Sequence, residues 1–372
     1  MYEIMSADEA IRLIRDGDCI CVNSFVGIEN PVELHEAIFR RYQRMQSPRH
    51  LTIISSAGFG VWDEERNAEG YIREGAVDRL ICGHFGAMLS TKKLVLEDRF
   101  EAYNLPLGCI SHAIRAQASG LPGALSKVGL DIFVDPRKEG PGINRISIDD
   151  SLVKYVEVDG EEFLYYKLPK INVALIKGTA ADRKGNISFD DMFMSGDALS
   201  ICQAVKANRG KVIVQVDRLV DTPSRPRNAI IPGCLVDAIV LAEPEEKNEA
   251  YAALTGSFEI PYEDWSKWNE KIDTVSSMQS KNSAVGNIIG RRAAKELRVD
   301  DIVNIGIGLP EMVSKFTRKS GMLDMVTLTV ESGGIGGFPV SGKVFGAMIG
   351  ASSVYDMANQ FDLYDSGGLD IC

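Results

Sequence analysis

Short apolar runs of strand length alternate with amphipathic, helix-length segments along most of the chain. A run of roughly four to eight β-branched and apolar residues, bounded by glycine or polar turns, indicates a buried strand. The runs of this kind in the first two thirds of the chain are Cys19–Phe25, Leu51–Ser55, Leu80–Phe85, Cys109–His112, Asn172–Lys177, Lys211–Val216 and Ala238–Leu241. The alternation predicts an α/β fold with open, largely parallel sheets covered by helices.

Two helices are predicted from their ends as well as from their apolar faces. Ser6 is followed three residues later by Glu9, which is the pattern of a capping box ahead of a short apolar face. The segment Leu199–Asn208 has apolar residues at helical spacing and stops before Gly210.

A polar segment with few strand signals interrupts this pattern. It runs from residue 244 to residue 284 and contains Pro261, Trp265 and Trp268. We interpret it as an interdomain linker, because domain boundaries fall in polar stretches that carry few contacts. The predicted domains are therefore residues 1–243 and residues 285–372, and a chain of 372 residues is long enough for two.

The second predicted domain repeats part of the first. RDGDCICVNSFVGIENPVEL from Arg15 and RVDDIVNIGIGLPEMV from Arg298 share a polar turn, a strand, a glycine-containing loop with a proline, and a helix. The next strands also correspond, LTIISSAGFG from Leu51 and MVTLTVESGGIGG from Met325. We interpret this as a two-copy duplication, although convergence on a common βαβ pattern gives the same signal. The second copy lacks a counterpart of Ile110–Leu241, so we expect it to be incomplete.

The strand Met325–Val330 ends in a lone carboxylate, Glu331, followed by Gly333, Gly334 and Gly336. Ligands of open α/β sheets collect outside the carboxyl ends of the strands, and glycines there leave backbone N–H groups free to face them. A carboxylate beside such donors can attack an activated carbonyl while the amides hold the oxyanion. The alternative is a solvated glutamate ahead of an ordinary loop.

A second glycine pair, Gly306 and Gly308, follows the predicted strand Asp301–Ile305 and opens a helix. This arrangement resembles a dinucleotide-binding fingerprint, but Glu311 occupies the position where that fingerprint requires glycine or alanine. A dinucleotide site is therefore disfavoured.

Composition removes several classes of function. The net charge of −11 argues against a non-specific nucleic-acid binder. No apolar run approaches membrane-spanning length and the N-terminus lacks the apolar core of a signal peptide, so we expect no membrane association. The seven cysteines are scattered, which favours reduced thiols in the cytoplasm. The four histidines lack metal-ligand spacing, so we predict core or surface roles for them and no metal site.

Six segments together resemble the family I coenzyme A transferases, and within them the single-chain acetate/propionate CoA-transferases. They are VESGGIGG around Glu331, NIGIGLP from Asn304, NSFVGIENP from Asn23, GLDIFVDPRKEGPGIN from Gly129, GTAADRKGNIS from Gly178 and NQFDLYDSGGLDI from Asn359. Each segment alone is a weak signal, but together they cover nearly the whole chain.

The resemblance implies two homologous α/β domains and a catalytic glutamate, which is Glu331 here. It implies acyl-CoA and short-chain carboxylic acids as partners, CoA as a co-substrate, no permanently bound cofactor, and a homo-oligomeric, cytoplasmic enzyme. The implied reaction is ping-pong transfer of CoA through a mixed anhydride and a glutamyl-CoA thioester. The implied oxyanion or CoA-loop residues are Gly306, Gly308, Gly333, Gly334 and Gly336.

The sequence departs from the family pattern in two respects. The family has glutamine as an oxyanion donor where this chain has Leu107, in the run NLPLG, and leucine cannot donate a hydrogen bond. Family members also continue past the position of Cys372. We therefore expect exchange activity near background, unless another donor replaces the glutamine. Two further functions stay open, a non-catalytic remnant or binding subunit and an acyl-CoA hydrolase.

Overall fold

The computed structural model of the chain describes residues 2–60, 67–222, 225–242, 267–273 and 284–372. The chain divides into two compact units. The N-terminal unit comprises Met1–Asp190 and Asp197–Pro244, and the C-terminal unit comprises Asp191–Gly196 and Glu245–Cys372. Most of the predicted linker lies outside the described residues, and its described part, residues 267–273, is helical. The homology between the two halves stays a prediction.

A large parallel sheet forms the centre of the N-terminal unit. The strands of this unit are β1 (Glu3–Met5), β2 (Cys19–Val22), β3 (Leu51–Ser55), β4 (Val77–Cys82), β5 (Glu101–Asn104), β6 (Ala124–Ser126), β7 (Val153–Val158), β8 (Glu161–Tyr166), β9 (Val173–Asp182), β10 (Ile187–Ser188), β11 (Lys211–Val220), β12 (Ala229–Ile231) and β13 (Ala238–Leu241). The parallel order is β1-β13-β11-β9-β2-β3-β4-β5. Strand β10 pairs antiparallel with β9 and with β12. Central strands such as β9 and β11 are apolar because both faces of the sheet are buried.

In the described part of this unit, the helices are α1 (Ala7–Ala10), α2 (Val32–Met45), α3 (Glu69–Arg73), α4 (Leu89–Leu96), α5 (Leu107–Ala118) and α6 (Ala198–Ala207). The capping box predicted at Ser6 is present, since the backbone N–H of Glu9 donates to the Ser6 hydroxyl and Glu9 accepts from the backbone of Ser6. Helix α6 confirms the helix predicted over Leu199–Asn208. The predicted α/β class is confirmed.

The strand predicted at Cys109–His112 is wrong, because these residues lie inside α5. The buried positions Cys109, Ile110, Ala113 and Ile114 recur at helical spacing, which the four-residue window could not reveal. Periodicity in a run that short fits either a strand or a helix.

The sequence analysis missed an antiparallel sheet of order β6-β8-β7. Strands β7 and β8 pair in register on either side of Asp159 and Gly160, which both have positive φ. An Asp-Gly pair between two alternating strand-like runs is a strong hairpin signal, so this element was predictable from the chain.

The C-terminal unit contains β14 (Ile302–Asn304), β15 (Thr327–Thr329), β16 (Gly334–Ile335), β17 (Phe338–Pro339), β18 (Met348–Ile349) and β19 (Ser353–Val354), with helices α7 (Ala284–Ala293), α8 (Glu311–Lys319) and α9 (Met357–Asp365). Strands β14 and β15 are parallel, whereas β15, β16 and β19 follow one another antiparallel. The glycine-rich segment after β15 turns the chain straight back into β16, so no crossover helix separates these two strands. Within the described ranges, no helix is long and apolar enough to cross a membrane.

Candidate active site

Glu331 lies just beyond the carboxyl end of β15, beside the end of the parallel strand β14. The amide Nδ2 of Asn304, the last residue of β14, donates to Glu331 Oε1 at 2.9 Å. The residue as a whole is partly exposed, but its Oε2 is buried and has no hydrogen-bond partner among the described residues. The two carboxylate oxygens therefore have different environments, one held by an amide and one free.

Burial raises the pKa of Glu331 above the ordinary glutamate value, and the hydrogen bond from Asn304 opposes this shift. A buried oxygen without a hydrogen-bond partner costs about 1–3 kcal/mol, and buried groups with a shifted pKa cluster at functional sites. When the carboxylate is ionised, Oε2 offers a poorly solvated lone pair, and poor solvation favours attack on a carbonyl carbon.

A second layer of polar groups surrounds Asn304. The Tyr364 hydroxyl lies 3.2 Å from Asn304 Oδ1 and 2.9 Å from Thr329 Oγ1, and Gln360 Nε2 donates to it at 2.8 Å. Asn304 and Thr329 are register partners on β14 and β15, while Gln360 and Tyr364 lie on α9. Sequence analysis quoted these segments only as signs of a family. It missed Asn304 and Tyr364 as site residues, because no local pattern links residues this far apart.

The glycines after Glu331 are required by the protein's own packing. Gly333 has a φ of +118°, and a Cβ there would lie 2.0 Å from the Tyr355 carbonyl oxygen. A Cβ at Gly334 would lie 2.5 Å from Met348 Sδ, and one at Gly336 would lie 2.6 Å from Ser352 Oγ. The close approach is thus between segments of the C-terminal unit.

Two of these glycines also use their backbone N–H groups within the fold. Gly333 donates to the carbonyl of Val330 at 3.1 Å, and Gly336 donates to the carbonyl of Leu328 at 2.8 Å. Both amides are therefore occupied in this structure, which weighs against an oxyanion role for them.

The earlier glycine pair has a more open setting. A Cβ at Gly306 would meet only Pro310 Cγ, at 3.8 Å, and the Gly306 N–H has no partner within the described part of the chain. Gly308, with a φ of +92°, has open space around it but donates its N–H to Glu311 Oε1 at 2.9 Å. Gly306 is therefore the strongest candidate for a backbone oxyanion donor among the predicted glycines.

Gly333→Ala should destabilise the fold strongly. The alanine would adopt a disfavoured φ and its Cβ would collide with the backbone of Tyr355, so we expect a loss of at least about 3 kcal/mol in the free energy of unfolding. Gly306→Ala is the matched control, with ordinary φ and an ordinary contact, and we expect a change within about 1 kcal/mol. Denaturant unfolding of both variants measures this, and equal stabilities would contradict the packing role of Gly333.

Leu107 lies in the N-terminal unit as the first residue of α5, which follows Pro106. A Cβ added at Gly83 would lie 3.1 Å from the Leu107 Cα, so the backbones of these two residues pack closely together. The backbone N–H groups of Leu107 and Gly108 have no partners among the residues that the structure describes. The first turn of a helix presents unpaired donors and a positive dipole end, so this position offers backbone donors although its side chain offers none.

A buried polar cluster lies beyond the carboxyl ends of β2 and β3 in the N-terminal unit. Asp197 Oδ2 accepts from the hydroxyls of Ser56, at 2.6 Å, and Ser111, at 2.7 Å. The backbone N–H of Asp197 donates to Asn23 Oδ1 at 2.9 Å. These bonds tie the loop that begins at Asn23 to neighbouring elements of the unit.

Two of the segments that carried the resemblance have structural roles. The Asp135 side chain is fully buried and bonded to the guanidinium of Arg137, which holds the pKa of the carboxyl well below its usual range. Asp182 accepts from the backbone of Lys184 and Asn186 and so closes the turn between β9 and β10. Such residues preserve a fold rather than a reaction.

The fully buried histidine is a core residue. His35 Nδ1 contacts the Tyr71 hydroxyl at 3.0 Å and Nε2 contacts Asn30 Oδ1 at 3.1 Å, while burial lowers its pKa to about 3. It is therefore neutral and satisfied, as the sequence analysis predicted for a core histidine. All seven cysteines are free thiols. In the described ranges, no three side chains of His, Cys, Asp or Glu group closely enough to hold a metal ion.

The fold is that of a known class. The sequence model of the coenzyme A transferase family matches residues 4–242, and the chain belongs to that family. It is a CoA-transferase, and the resemblance inferred from the sequence is confirmed.

Its relatives include acetate CoA-transferase YdiF of Escherichia coli K12, which is 35% identical over 374 residues, covering 99% of this chain and 68% of the relative. Caffeate CoA-transferase of Acetobacterium woodii is 35% identical over 380 residues, covering 100% of this chain and 69% of the relative. This chain therefore spans about two thirds of the length of these proteins.

Two solved structures of acyl-CoA transferase YdiF from E. coli O157:H7 resemble this fold. The apoenzyme superposes with a TM-score of 0.86 at 33% identity, and the match covers 100% of this chain and 68% of the apoenzyme chain. A thioester complex with CoA gives a TM-score of 0.85 at 32% identity, with the same coverage.

Proposed function

We propose that this chain transfers CoA between a short-chain acyl-CoA and a carboxylic acid by a ping-pong mechanism in which Glu331 is the nucleophile. The observation that carries the proposal is the asymmetry of the Glu331 carboxylate. Oε1 is held by Asn304 at 2.9 Å, while Oε2 is buried and unpartnered. Most buried polar atoms that only stabilise a fold are hydrogen-bonded, so an unpartnered carboxylate oxygen at a strand end supports a chemical role.

In the first half-reaction, Oε2 attacks the thioester carbonyl carbon and the C–S bond breaks. The products are a mixed anhydride on Glu331 and the CoA thiolate, which carries away the electron pair. The thiolate then attacks the Glu331 carbonyl carbon, and the bond between that carbon and the bridging oxygen of the anhydride breaks. This releases the first acid as its carboxylate and leaves a glutamyl-CoA thioester, which conserves the thioester free energy as long as water is excluded.

A second carboxylate then attacks the glutamyl-CoA thioester and reverses the sequence. Support comes from the relative acyl-CoA transferase YdiF, whose solved structures include a thioester complex with CoA. The Gly306 N–H, unpartnered among the described residues and on the loop after Asn304, is our candidate backbone donor for an oxyanion. No permanently bound cofactor enters these steps. Cytoplasmic location and homo-oligomeric assembly are further parts of the proposal.

The substrate class is tested by exchange. Propionate should accept CoA from acetyl-CoA, and a long-chain donor such as palmitoyl-CoA should be at least about tenfold slower, as expected for a small acyl pocket. Liquid chromatography of the acyl-CoA products measures both rates. Equal rates with the two donors contradict short-chain specificity. Free CoA that appears at the same rate without any acceptor acid indicates the hydrolase instead, and no turnover and no adduct indicates a binding subunit.

A further inference from the structure

The Asn304 amide lies between the Glu331 carboxylate and the Tyr364 hydroxyl. A carboxylate only accepts hydrogen bonds, so the amide must present Nδ2 to Glu331, and the distance of 2.9 Å fits this arrangement. Its Oδ1 then faces the Tyr364 hydroxyl at 3.2 Å. An amide turned by 180° would place an oxygen against the carboxylate, which is repulsive. The orientation of this one amide therefore determines whether Glu331 is anchored.

The Tyr364 hydroxyl is itself oriented by its neighbours. Gln360, which is fully buried one helical turn earlier on α9, donates Nε2 to the hydroxyl oxygen at 2.8 Å. With that lone pair occupied, the single phenolic proton is shared between two acceptors, Asn304 Oδ1 at 3.2 Å and Thr329 Oγ1 at 2.9 Å. The Thr329 hydroxyl lies 3.3 Å from the carbonyl of Val303, so it donates there and can accept from Tyr364.

We propose that Tyr364, held by Gln360, is a positioning residue that orients the Asn304 amide and thereby keeps Glu331 Oε2 as the free, attacking oxygen. The proposal rests on the proposed function, since it assigns this role toward a nucleophilic Glu331. Tyr364 touches no reacting atom. It acts through Asn304, as outer-shell partners do in other polar sites.

The effects of the surroundings on the pKa values of Tyr364 and Glu331 support this role. Burial raises the pKa of Tyr364, and the nearby Glu331 charge raises it further, so the phenol remains a proton donor at neutral pH. The Cys372 thiol also lies near the amide, with its Sγ 3.7 Å from Asn304 Nδ2. The bond from Asn304 lowers the pKa of Glu331 against the effect of burial, so a loosened amide should raise that pKa.

The test is Tyr364→Phe, which deletes one hydroxyl and keeps the ring. Because attack needs ionised Glu331, the rate falls as the pH drops through the Glu331 pKa, and a raised pKa moves this acid limb to higher pH. We expect kcat to fall about tenfold, KM for acyl-CoA to stay within about twofold, and the acid limb to move up by about half a pH unit. Tyr355→Phe is the matched control, since Tyr355 is an exposed tyrosine of the same unit, and we expect no change.

A double-mutant cycle with Asn304→Ala separates positioning from general loss of packing. If Tyr364 acts through Asn304, Tyr364→Phe should have little further effect in the Asn304→Ala protein. Additive losses, a raised KM at unchanged kcat, or an unmoved acid limb would each overturn the proposal. Partial unfolding of Tyr364→Phe would lower the amplitude of the pH profile without displacing it, so this readout remains valid for a less stable variant.

The two proposals fail in different ways. If Glu331 is not the nucleophile, the unmodified protein forms no CoA adduct on it. If only the positioning role is wrong, the adduct forms on Glu331 in Tyr364→Phe at the unmodified rate. The rate of adduct formation in the absence of an acceptor acid, followed by intact-protein mass spectrometry, distinguishes these outcomes.

Discussion

Glu331→Ala should lose the covalent CoA adduct and all exchange above the background rate, because removal of a nucleophile eliminates the covalent pathway. Incubation of the unmodified chain with acetyl-CoA and no acceptor acid should add the mass of CoA to the protein. Peptide mapping should locate it on the peptide that contains Glu331. The asymmetric carboxylate, with one oxygen held by Asn304 and the other unpartnered among the described residues, is the reason for this expectation.

The matched control for Glu331 is Glu311→Gln. Glu311 is a second glutamate of the C-terminal unit whose pKa is raised by burial, but its Oε1 accepts from the Gly308 N–H and so holds a loop. We expect this variant to keep the adduct and to lose less than about tenfold in rate. An adduct that maps to a cysteine, that persists in Glu331→Ala, or that never forms on the unmodified chain would each rule out Glu331 as the nucleophile.

Leu107→Gln should raise kcat about 10²-fold, if the family's side-chain oxyanion donor operates at this position. The resemblance places a glutamine there, and one such donor is typically worth about 10²- to 10³-fold in rate. Leu107 is partly exposed at the first position of α5, so the longer polar side chain fits without burying an unpaired amide. Steady-state exchange between acetyl-CoA and propionate measures the gain.

Leu107→Met is the control, because methionine has a similar volume and no donor, and its rate should equal that of the unmodified chain. An unchanged rate in Leu107→Gln would mean that no side-chain donor is needed. The Gly306 N–H, which has no partner among the described residues, would then remain the candidate backbone donor.

Elements with a strong local signal could be predicted from the sequence. The strands at Leu51–Ser55 and Ala238–Leu241 were predicted at the bounds that the structure shows, because buried parallel strands need β-branched, apolar runs ended by turns. The capping box at Ser6 depends on residues three positions apart, so it too is local. The error at Cys109–His112 arose where a four-residue apolar window fits two periodicities equally well.

The sequence by itself also determined that Glu331 follows a strand and precedes a glycine-rich turn, and its motifs determined the family. Only the tertiary structure decided what surrounds that carboxylate. Asn304 and Tyr364 meet because β14 pairs with β15 and α9 returns to them, so residues 60 positions apart share a hydrogen bond. The need for glycine at position 333 likewise comes from the Tyr355 carbonyl. Such contacts depend on how the chain folds back on itself, and local propensity carries no information about that.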